Sequence, residues 1–271
     1  MVNLSSALEV ATATHPGMVR SHNEDSIAAD PEIGLAVLAD GMGGYNAGEV
    51  ASGIAVELIR TEVKKAVTDA TPEQLNGTGV ETLITEHAER ANAAIYQAAQ
   101  SQPQYSGMGT TLVVAMWHDN RISVGHIGDS RLYRLRGPTF EQVTRDHSLL
   151  QEQIDSGMIT REQARHSQNK NLVTRAVGID PQVEAEVHTY DVQQGDIYML
   201  CSDGLSDMVS DEDIQLTLSS LQTNLPLAAQ QLVQQANDNG GRDNVSVILV
   251  RVTRDYPARA GWLAKLKSWF G

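Results

Sequence analysis

Five short acidic motifs are spread along the chain and carry its most distinctive chemistry. They occupy residues 20–25 (RSHNED), 40–44 (DGMGG), 128–130 (GDS), 203–207 (DGLSD) and 243–244 (DN). Each acid lies beside a glycine, an asparagine or a turn residue, and four of the five motifs adjoin a β-branched, apolar run. A fold that gathers strand ends at one rim would bring these acids together.

Such a rim would concentrate negative charge and therefore needs protons or cations. Two carboxylates about 4 Å apart repel by roughly 4 kcal/mol at an effective dielectric of 20. An all-oxygen ligand set favours hard ions, so Mg²⁺ or Mn²⁺ is expected ahead of Zn²⁺. The acids that would converge are Glu24, Asp25, Asp40, Asp129, Asp203, Asp207 and Asp243.

Composition limits the class of protein. The 271 residues contain no Pro, Gly or Ser-rich linker, so we expect one domain over 1–253 and a separate tail over 254–271. The charge of 20 minus 34, or −14, comes without a basic block, so nucleic acid is not an expected partner. One cysteine excludes an internal disulfide, and neither a signal-like leader nor an 18-residue apolar run occurs. We therefore expect a cytoplasmic protein, and a monomer.

The elements that must position the acids follow from apolar runs and turn residues. Short connections between neighbouring strands predict antiparallel pairing, since parallel crossovers need longer ones. With helices packed outside, this predicts an α+β fold, a four-layer sandwich of two central antiparallel β-sheets flanked by α-helices on both sides. The predicted strands are 34–39, 110–117, 121–127, 131–135, 196–202 and 245–252, and the predicted helices are about 48–66, 80–100, 211–221 and 226–237.

In the order and spacing of these motifs and in their flanking strands, residues 12–252 resemble the metal-dependent protein phosphatases of the 2C family. The resemblance implies that Asp40 bridges two metal ions. It places Glu24 and the carbonyl of Gly41 on one ion, and Asp203 and Asp243 on the other.

The resemblance also implies roles for the remaining motif residues. Asp25 would act through metal-bound water, and Asp129 and Asp207, together with Asp203, resemble the weaker third-metal site of bacterial members. Arg20 matches the arginine that receives the substrate phosphate, and its planar fork of donors suits two phosphate oxygens.

A hydroxide held between two divalent ions is nucleophilic at neutral pH, so no phosphoenzyme is needed. Many eukaryotic relatives have a histidine, considered a general acid, where this chain has Met42. His22, His126 and His147 lie in or near motifs, but we assign none of them a catalytic role. Cys201 lacks the arginine six positions later that a cysteine phosphatase uses, so a buried strand cysteine is the better interpretation.

Two further segments have open interpretations. Residues 146–178 resemble the family's flap, and their basic residues either hold an acidic phosphoprotein or coat a solvated lid. These are Arg161, Arg165, Lys170 and Arg175. The tail is amphipathic if helical, and it either folds onto its own domain or docks on a membrane surface or protein partner. Its apolar face comprises Trp262, Leu263, Leu266, Trp269 and Phe270.

We therefore predict a bacterial-type protein serine/threonine phosphatase. It would hydrolyse phosphoserine and phosphothreonine in proteins that a serine/threonine kinase phosphorylates, with two core Mn²⁺ or Mg²⁺ ions and a third. Two alternatives are an inactive phosphoprotein-binding scaffold and a phosphoesterase for small molecules. The first is disfavoured because every expected metal position still holds an acid.

Overall fold

Two antiparallel β-sheets form the centre of the computed structural model, which describes residues 3–44, 47–70, 77–160, 163–164 and 172–257. One sheet has the order β1-β11-β10-β7-β8 and the other β2-β3-β5-β6-β9, with the short β4 paired to β3. The strands are β1 Leu8–His15, β2 Asp25–Asp30, β3 Leu35–Met42, β4 Gly109–Thr110, β5 Leu112–His118, β6 Arg121–Ile127, β7 Arg131–Arg136, β8 Thr139–Gln142, β9 Glu186–Asp191, β10 Ile197–Cys201 and β11 Val245–Val252.

The described helices are α1 Ala47–Asp69, α2 Gly77–Ser101, α3 Leu149–Asp155, α4 Asp203–Ser206, α5 Asp211–Ser220 and α6 Leu225–Asp238. Helices α1 and α2 cover the outer face of one sheet, and α5 and α6 cover that of the other. Helix α5 begins at the cap residue Ser210, whose hydroxyl accepts from the Asp213 amide, and α6 begins at Asn224, which caps the Leu227 amide. These side chains satisfy amides that have no partner within the helix.

Alternation along the strands divides the core into three layers of side chains. In β3, Leu35, Val37 and Ala39 pack against α1 and α2, whereas Ala36 and Leu38 point between the two sheets. Successive side chains of a strand point to opposite faces, so a strand covered on both sides must be apolar throughout. A third cluster joins the other sheet to α5 and α6. The predicted α+β four-layer sandwich is therefore confirmed.

Most predicted elements are present, with differences at weakly apolar segments. The four long predicted helices and the six predicted strands all form, but the strand predicted over 110–117 is interrupted at Thr111 between β4 and β5. Strands β1, β2, β8 and β9 were missed by the sequence analysis. Among the described residues, no helix has both the length and the hydropathy to cross a membrane. Residues 258–271, with the amphipathic tail, lie outside the described residues, as do Arg161, Arg165 and Lys170.

Candidate metal and phosphate site

Strand ends from both sheets place the predicted acids at one rim. Asp25 begins β2 and pairs directly with Asp40 near the end of β3. Asp129 follows β6, Asp203 follows β10, and Asp243 precedes β11. Because neighbouring strands are antiparallel, the end of one strand and the start of the next meet at the same edge.

Burial and mutual repulsion determine the protonation of the central acids. The pKa of Asp40 is raised well above its ordinary value, first by burial and then by the charges of Asp25, Asp203, Asp129 and Asp243. The same two effects raise the pKa of Asp203 well above its ordinary value, and its neighbours include Asp207. Burial raises the pKa of Asp25 to about 6 and that of Asp129 to about 6. These shifts show that six aspartates form one electrostatic cluster. They are Asp25, Asp40, Asp129, Asp203, Asp207 and Asp243.

Glu24 and Arg20 lie on one side of this cluster. Burial raises the pKa of Glu24, although the nearby charge of Arg20 acts in the opposite direction. Arg20 donates from Nη2 to Oδ2 of Asp243 at 2.7 Å, and its side chain is half exposed. The arginine thus contacts one predicted metal ligand and keeps further donors at the surface of the rim.

Main-chain contacts hold the bridging candidate, Asp40, in place. The Thr111 amide and the Thr110 hydroxyl both donate to the Asp40 carbonyl, each at 2.8 Å. The Thr111 hydroxyl lies 3.0 Å from the Asp40 amide and accepts from it. A second hydroxyl, that of Ser130, lies 2.7 Å from the Thr111 hydroxyl. The residues at the interruption between β4 and β5 therefore hold the main chain of Asp40, the predicted bridging ligand, in place.

The residues present fit hard divalent cations. Oδ1 of Asp25 is buried without a hydrogen-bond partner, although Oδ2 accepts from the Ser202 hydroxyl at 2.8 Å. A buried carboxylate oxygen that lacks a donor is costly unless a cation contacts it. The neighbours that raise the pKa of Asp40 are themselves carboxylates, which are the ligands that Mg²⁺ and Mn²⁺ prefer.

Two glycines allow close approach around Glu24. A Cβ atom on Gly41 would lie 2.1 Å from the Gly48 carbonyl oxygen and 2.6 Å from that of Glu24. A Cβ atom on Gly48 would lie 2.7 Å from Oε2 of Glu24. The predicted Gly41 is therefore required for backbone contact at the site, and Gly48 is a neighbour that the sequence analysis missed.

Asn244 organises the loop that carries Arg20 and Glu24, a role that sequence reasoning also missed. Its Nδ2 donates to the carbonyls of Pro16 and His22, at 3.0 and 2.8 Å, and its Oδ1 accepts from the Glu24 amide at 2.8 Å. The Asp-Asn motif was the available signal, because a buried amide side chain beside a ligand satisfies several main-chain groups at once.

Cys201 lies in the buried interior of β10 and is excluded from solvent. Burial raises the pKa of its thiol to about 12. The thiol is therefore protonated at neutral pH and is not a nucleophile, as the sequence analysis expected.

The sequence is similar to those of known proteins over most of its length. Residues 19–242 match the family model described as Protein phosphatase 2C. The chain is 36% identical over 240 residues to the serine/threonine phosphatase stp of Listeria monocytogenes, covering 88% of this chain and 93% of that protein. It is 35% identical over 253 residues to the protein phosphatase PhpP of Streptococcus pneumoniae, covering 92% of this chain and 99% of that protein.

Solved structures resemble the fold over more than nine-tenths of the chain. The crystal structure of the Mycobacterium tuberculosis serine/threonine phosphatase PstP/Ppp has a TM-score of 0.83 at 36% identity, covering 92% of this chain and 100% of that chain. A catalytic-domain structure of PstP in complex with two manganese ions has a TM-score of 0.79 at 36% identity, covering 92% and 99%. The phosphatase Stp1 of Staphylococcus aureus has a TM-score of 0.83 at 32% identity, covering 94% and 98%.

Proposed function

This chain belongs to the protein phosphatase 2C family and is a serine/threonine protein phosphatase, and we propose that it hydrolyses phosphoserine and phosphothreonine with two divalent ions and a third. The observation that carries this proposal is the convergence of buried, mutually repelling carboxylates beside Arg20. The proposed ligands are Glu24, Asp25 (through water), Asp40, the Gly41 carbonyl, Asp203 and Asp243 for the core ions, and Asp129, Asp203 and Asp207 for the third.

Bound divalent ions would supply an activated water and would neutralise charge on the phosphoryl oxygens. Arg20 orients the substrate, because its fork of N–H donors can bind two phosphate oxygens while Asp243 fixes one nitrogen. Thr110 and Thr111 hold the main chain of Asp40, so that its carboxylate stays aimed at the rim. Such prior positioning is the main contribution of a protein to phosphoryl transfer.

A cleft beside the rim supports a protein substrate. A cavity of about 400 Å³ lies between α3 of the flap segment, residues 146–178, and the turn that leads from α4 into α5. Its lining includes Ser148, Gln151, Asp207 and Met208. Asp207 belongs to both the cavity and the acidic cluster, so a peptide in this cleft would pass next to the reacting phosphate. We propose substrates phosphorylated by a serine/threonine kinase.

Metal-dependent release of phosphate tests the proposal. Purified protein with Mn²⁺ should release phosphate from a phosphothreonine peptide, and excess EDTA should abolish this release. Asp203→Ala should lower kcat/KM by more than about 100-fold, since even residues that only support a ligand contribute 10–100-fold. Asp191→Ala is the matched control, because that aspartate side chain is 90% exposed on an edge strand.

The alternatives predict other results from the same assay. Full activity in EDTA, or an unchanged rate in Asp203→Ala, would reject the metal mechanism. Absence of turnover with Mn²⁺ bound would identify an inactive scaffold. Rates on small phosphometabolites that exceed those on phosphopeptides would identify a small-molecule phosphoesterase.

A further inference from the structure

A second cluster of titratable side chains lies next to the acidic rim. Candidate ligand atoms of His126, His147 and Glu186 lie within 4.8 Å of one another, and the two histidine rings stack with centroids 4.6 Å apart. Two histidines and a carboxylate are also the ligands of many zinc sites. The hydrogen bonds of the rings decide between a cation site and a structural network.

These hydrogen bonds favour a structural network. The Gly128 amide donates to Nδ1 of His147 at 3.1 Å, so the neutral ring carries its proton on Nε2, which faces Oε2 of Glu186 at 3.4 Å. Nε2 of His126 lies 2.7 Å from the Arg145 carbonyl and donates to it. The Arg175 guanidinium nitrogen Nη1 lies 3.5 Å from Nε2 of His147 and brings positive charge where a cation would bind.

The main chain of His147 strengthens its contact with Gly128. The His147 amide donates to the Gly128 carbonyl at 2.9 Å, so ring and backbone together bind both polar groups of this glycine. Gly128 has a φ of +101°, and a Cβ atom there would lie 2.7 Å from Cγ2 of Thr111. The turn that presents Asp129 therefore has a conformation that other residues do not adopt easily.

The same residue ties the flap segment to this turn. The Thr174 amide, at the returning end of the flap segment, donates to the His147 carbonyl at 2.9 Å. Asp146 is held by Nε and Nη2 of Arg131, at 2.9 and 2.7 Å. His147, at the start of the flap segment, is therefore hydrogen-bonded both to the returning end of that segment and to the turn that carries Asp129.

We propose that His147 is a positioning residue for the third-ion site, whose Nδ1 holds the Gly128 amide and thereby aims the Asp129 carboxylate at the rim. This inference rests on the proposed function, because it assumes that Asp129 binds an ion. It assigns His147 no contact with substrate. Replacing His147 should therefore change the affinity of only the most weakly bound ion.

Two amide replacements separate this role from general stability. In His147→Asn the amide Oδ1 can occupy the position of Nδ1 and accept from Gly128, whereas in His147→Gln the amide lies one bond farther out. Isothermal titration of Mn²⁺ into metal-free protein should show a weakest-site affinity within about 2-fold of wild type for Asn. For Gln it should fall about 10-fold or more, the range for residues that orient a ligand. The two tighter sites should be unchanged in both variants.

The outcomes distinguish the inference from the function on which it rests. Equal weakest-site affinities in wild type, His147→Asn and His147→Gln would overturn the role of His147 and leave the phosphatase proposal intact. Failure of the wild type to bind Mn²⁺ would instead overturn the proposed function.

A measurement on the wild type covers the case in which His147→Gln does not fold. With ¹⁵N-labelled histidine, Nδ1 of His147 should be unprotonated at pH 7, and its resonance should move as Mg²⁺ fills the weakest site. A protonated Nδ1, or a resonance that does not move during that step, would reject the proposal.

Discussion

Strand β10 has an aspartate near each end, and the two residues lie in opposite surroundings. Asp196, just before the strand, is buried and accepts from Nε and Nη2 of Arg136 at 2.8 and 2.6 Å, from the Tyr198 hydroxyl and from the Gln193 amide. Asp203, just after the strand, is surrounded by carboxylates that raise its pKa. The protein supplies the cation at one end, and at the other end it leaves a site that a metal ion can fill.

This difference explains why burial alone does not identify a functional acid. A buried carboxylate with an arginine and two further donors is fully satisfied and contributes to folding. A buried carboxylate beside other carboxylates opposes folding until cations bind, so such an acid is a candidate functional residue. Replacing an acid of the first kind should therefore lower the free energy of unfolding, and replacing one of the second kind should raise it in the absence of metal.

The largest effect is expected at Asp196. Asp196→Ala leaves Arg136 without its buried partner and should destabilise the protein by about 3–5 kcal/mol, as breaking a buried pair does. Urea unfolding of the metal-free protein measures this change. Asp191→Ala, at an exposed position, should leave the unfolding midpoint unchanged. Similar losses in the two variants would contradict the assigned role of the Arg136 pair.

At the rim, we expect the stability of the metal-free protein to depend on pH, because Asp25 lies beside other carboxylates and not beside an arginine as Asp196 does. The pKa of Asp25 is raised from 3.8 to about 6, so the metal-free folded state binds the extra proton. The stability that this protonation gives the folded state is fully present below about pH 4 and is lost as the pH rises through about 6. At about 1.4 kcal/mol per pKa unit, the loss is about 3 kcal/mol.

Urea midpoints at pH 4 and pH 7 measure this loss by comparison with Asp25→Asn. The asparagine variant should lose less stability than wild type between pH 4 and pH 7. Mn²⁺ should abolish the loss that wild type shows over this interval, because the ions favour the ionised form of Asp25. An identical pH dependence of the two metal-free proteins would show that Asp25 is not shifted.

Neutralising Asp203 should stabilise the metal-free protein. Asp203→Asn removes a carboxyl group whose ionisation is opposed by burial and by several aspartates. We expect a gain of about 1 kcal/mol, of the size found when a functional residue is replaced at the expense of activity. Thermal unfolding at pH 7 in EDTA measures it. In excess Mn²⁺ the order should reverse, because only wild type gains full stabilisation from binding. A lower melting temperature for Asp203→Asn in EDTA would place this residue in the same class as Asp196.

The smallest expected effect comes from two glycines of α1. Gly53→Ala meets no atom within 4 Å and should stabilise the helix by about 0.5–1 kcal/mol, with activity unchanged. Gly48→Ala brings Cβ to 2.8 Å from the Gly41 carbonyl carbon and should instead raise the Mn²⁺ concentration for half-maximal activity. Equal Mn²⁺ requirements in both variants would show that close packing around Glu24 does not tune the site.

The strands that the sequence analysis missed share a physical cause. All residues of β2 are only partly buried, and β1 alternates irregularly between buried and exposed positions. Such strands lack the apolar run or clean alternation from which strands are predicted, and sheet pairing alone makes them strands. The well-predicted β10 and β11 are apolar almost throughout, because they are covered on both faces.

In the candidate site, too, the features with a local sequence signal were predicted, and those that depend on long-range contacts were missed. Acids next to glycine at the ends of apolar runs predicted the rim, since short antiparallel connections bring those ends together. Asn244 and Gly48 were assigned no role, because their contacts join segments far apart in the chain. Contacts of that kind leave no periodic signal in a sequence.

By itself the sequence determined that acids would cluster at strand ends beside an arginine, and that two antiparallel sheets would hold them. It gave Asp196 no role and assigned Asp203 to the metal site, but it did not show which charged groups lie around either residue. Only the tertiary structure decided that Arg136 reaches the first and that other carboxylates surround the second. The physical reason is that a carboxylate's role depends on the charges around it, and long-range packing places those charges.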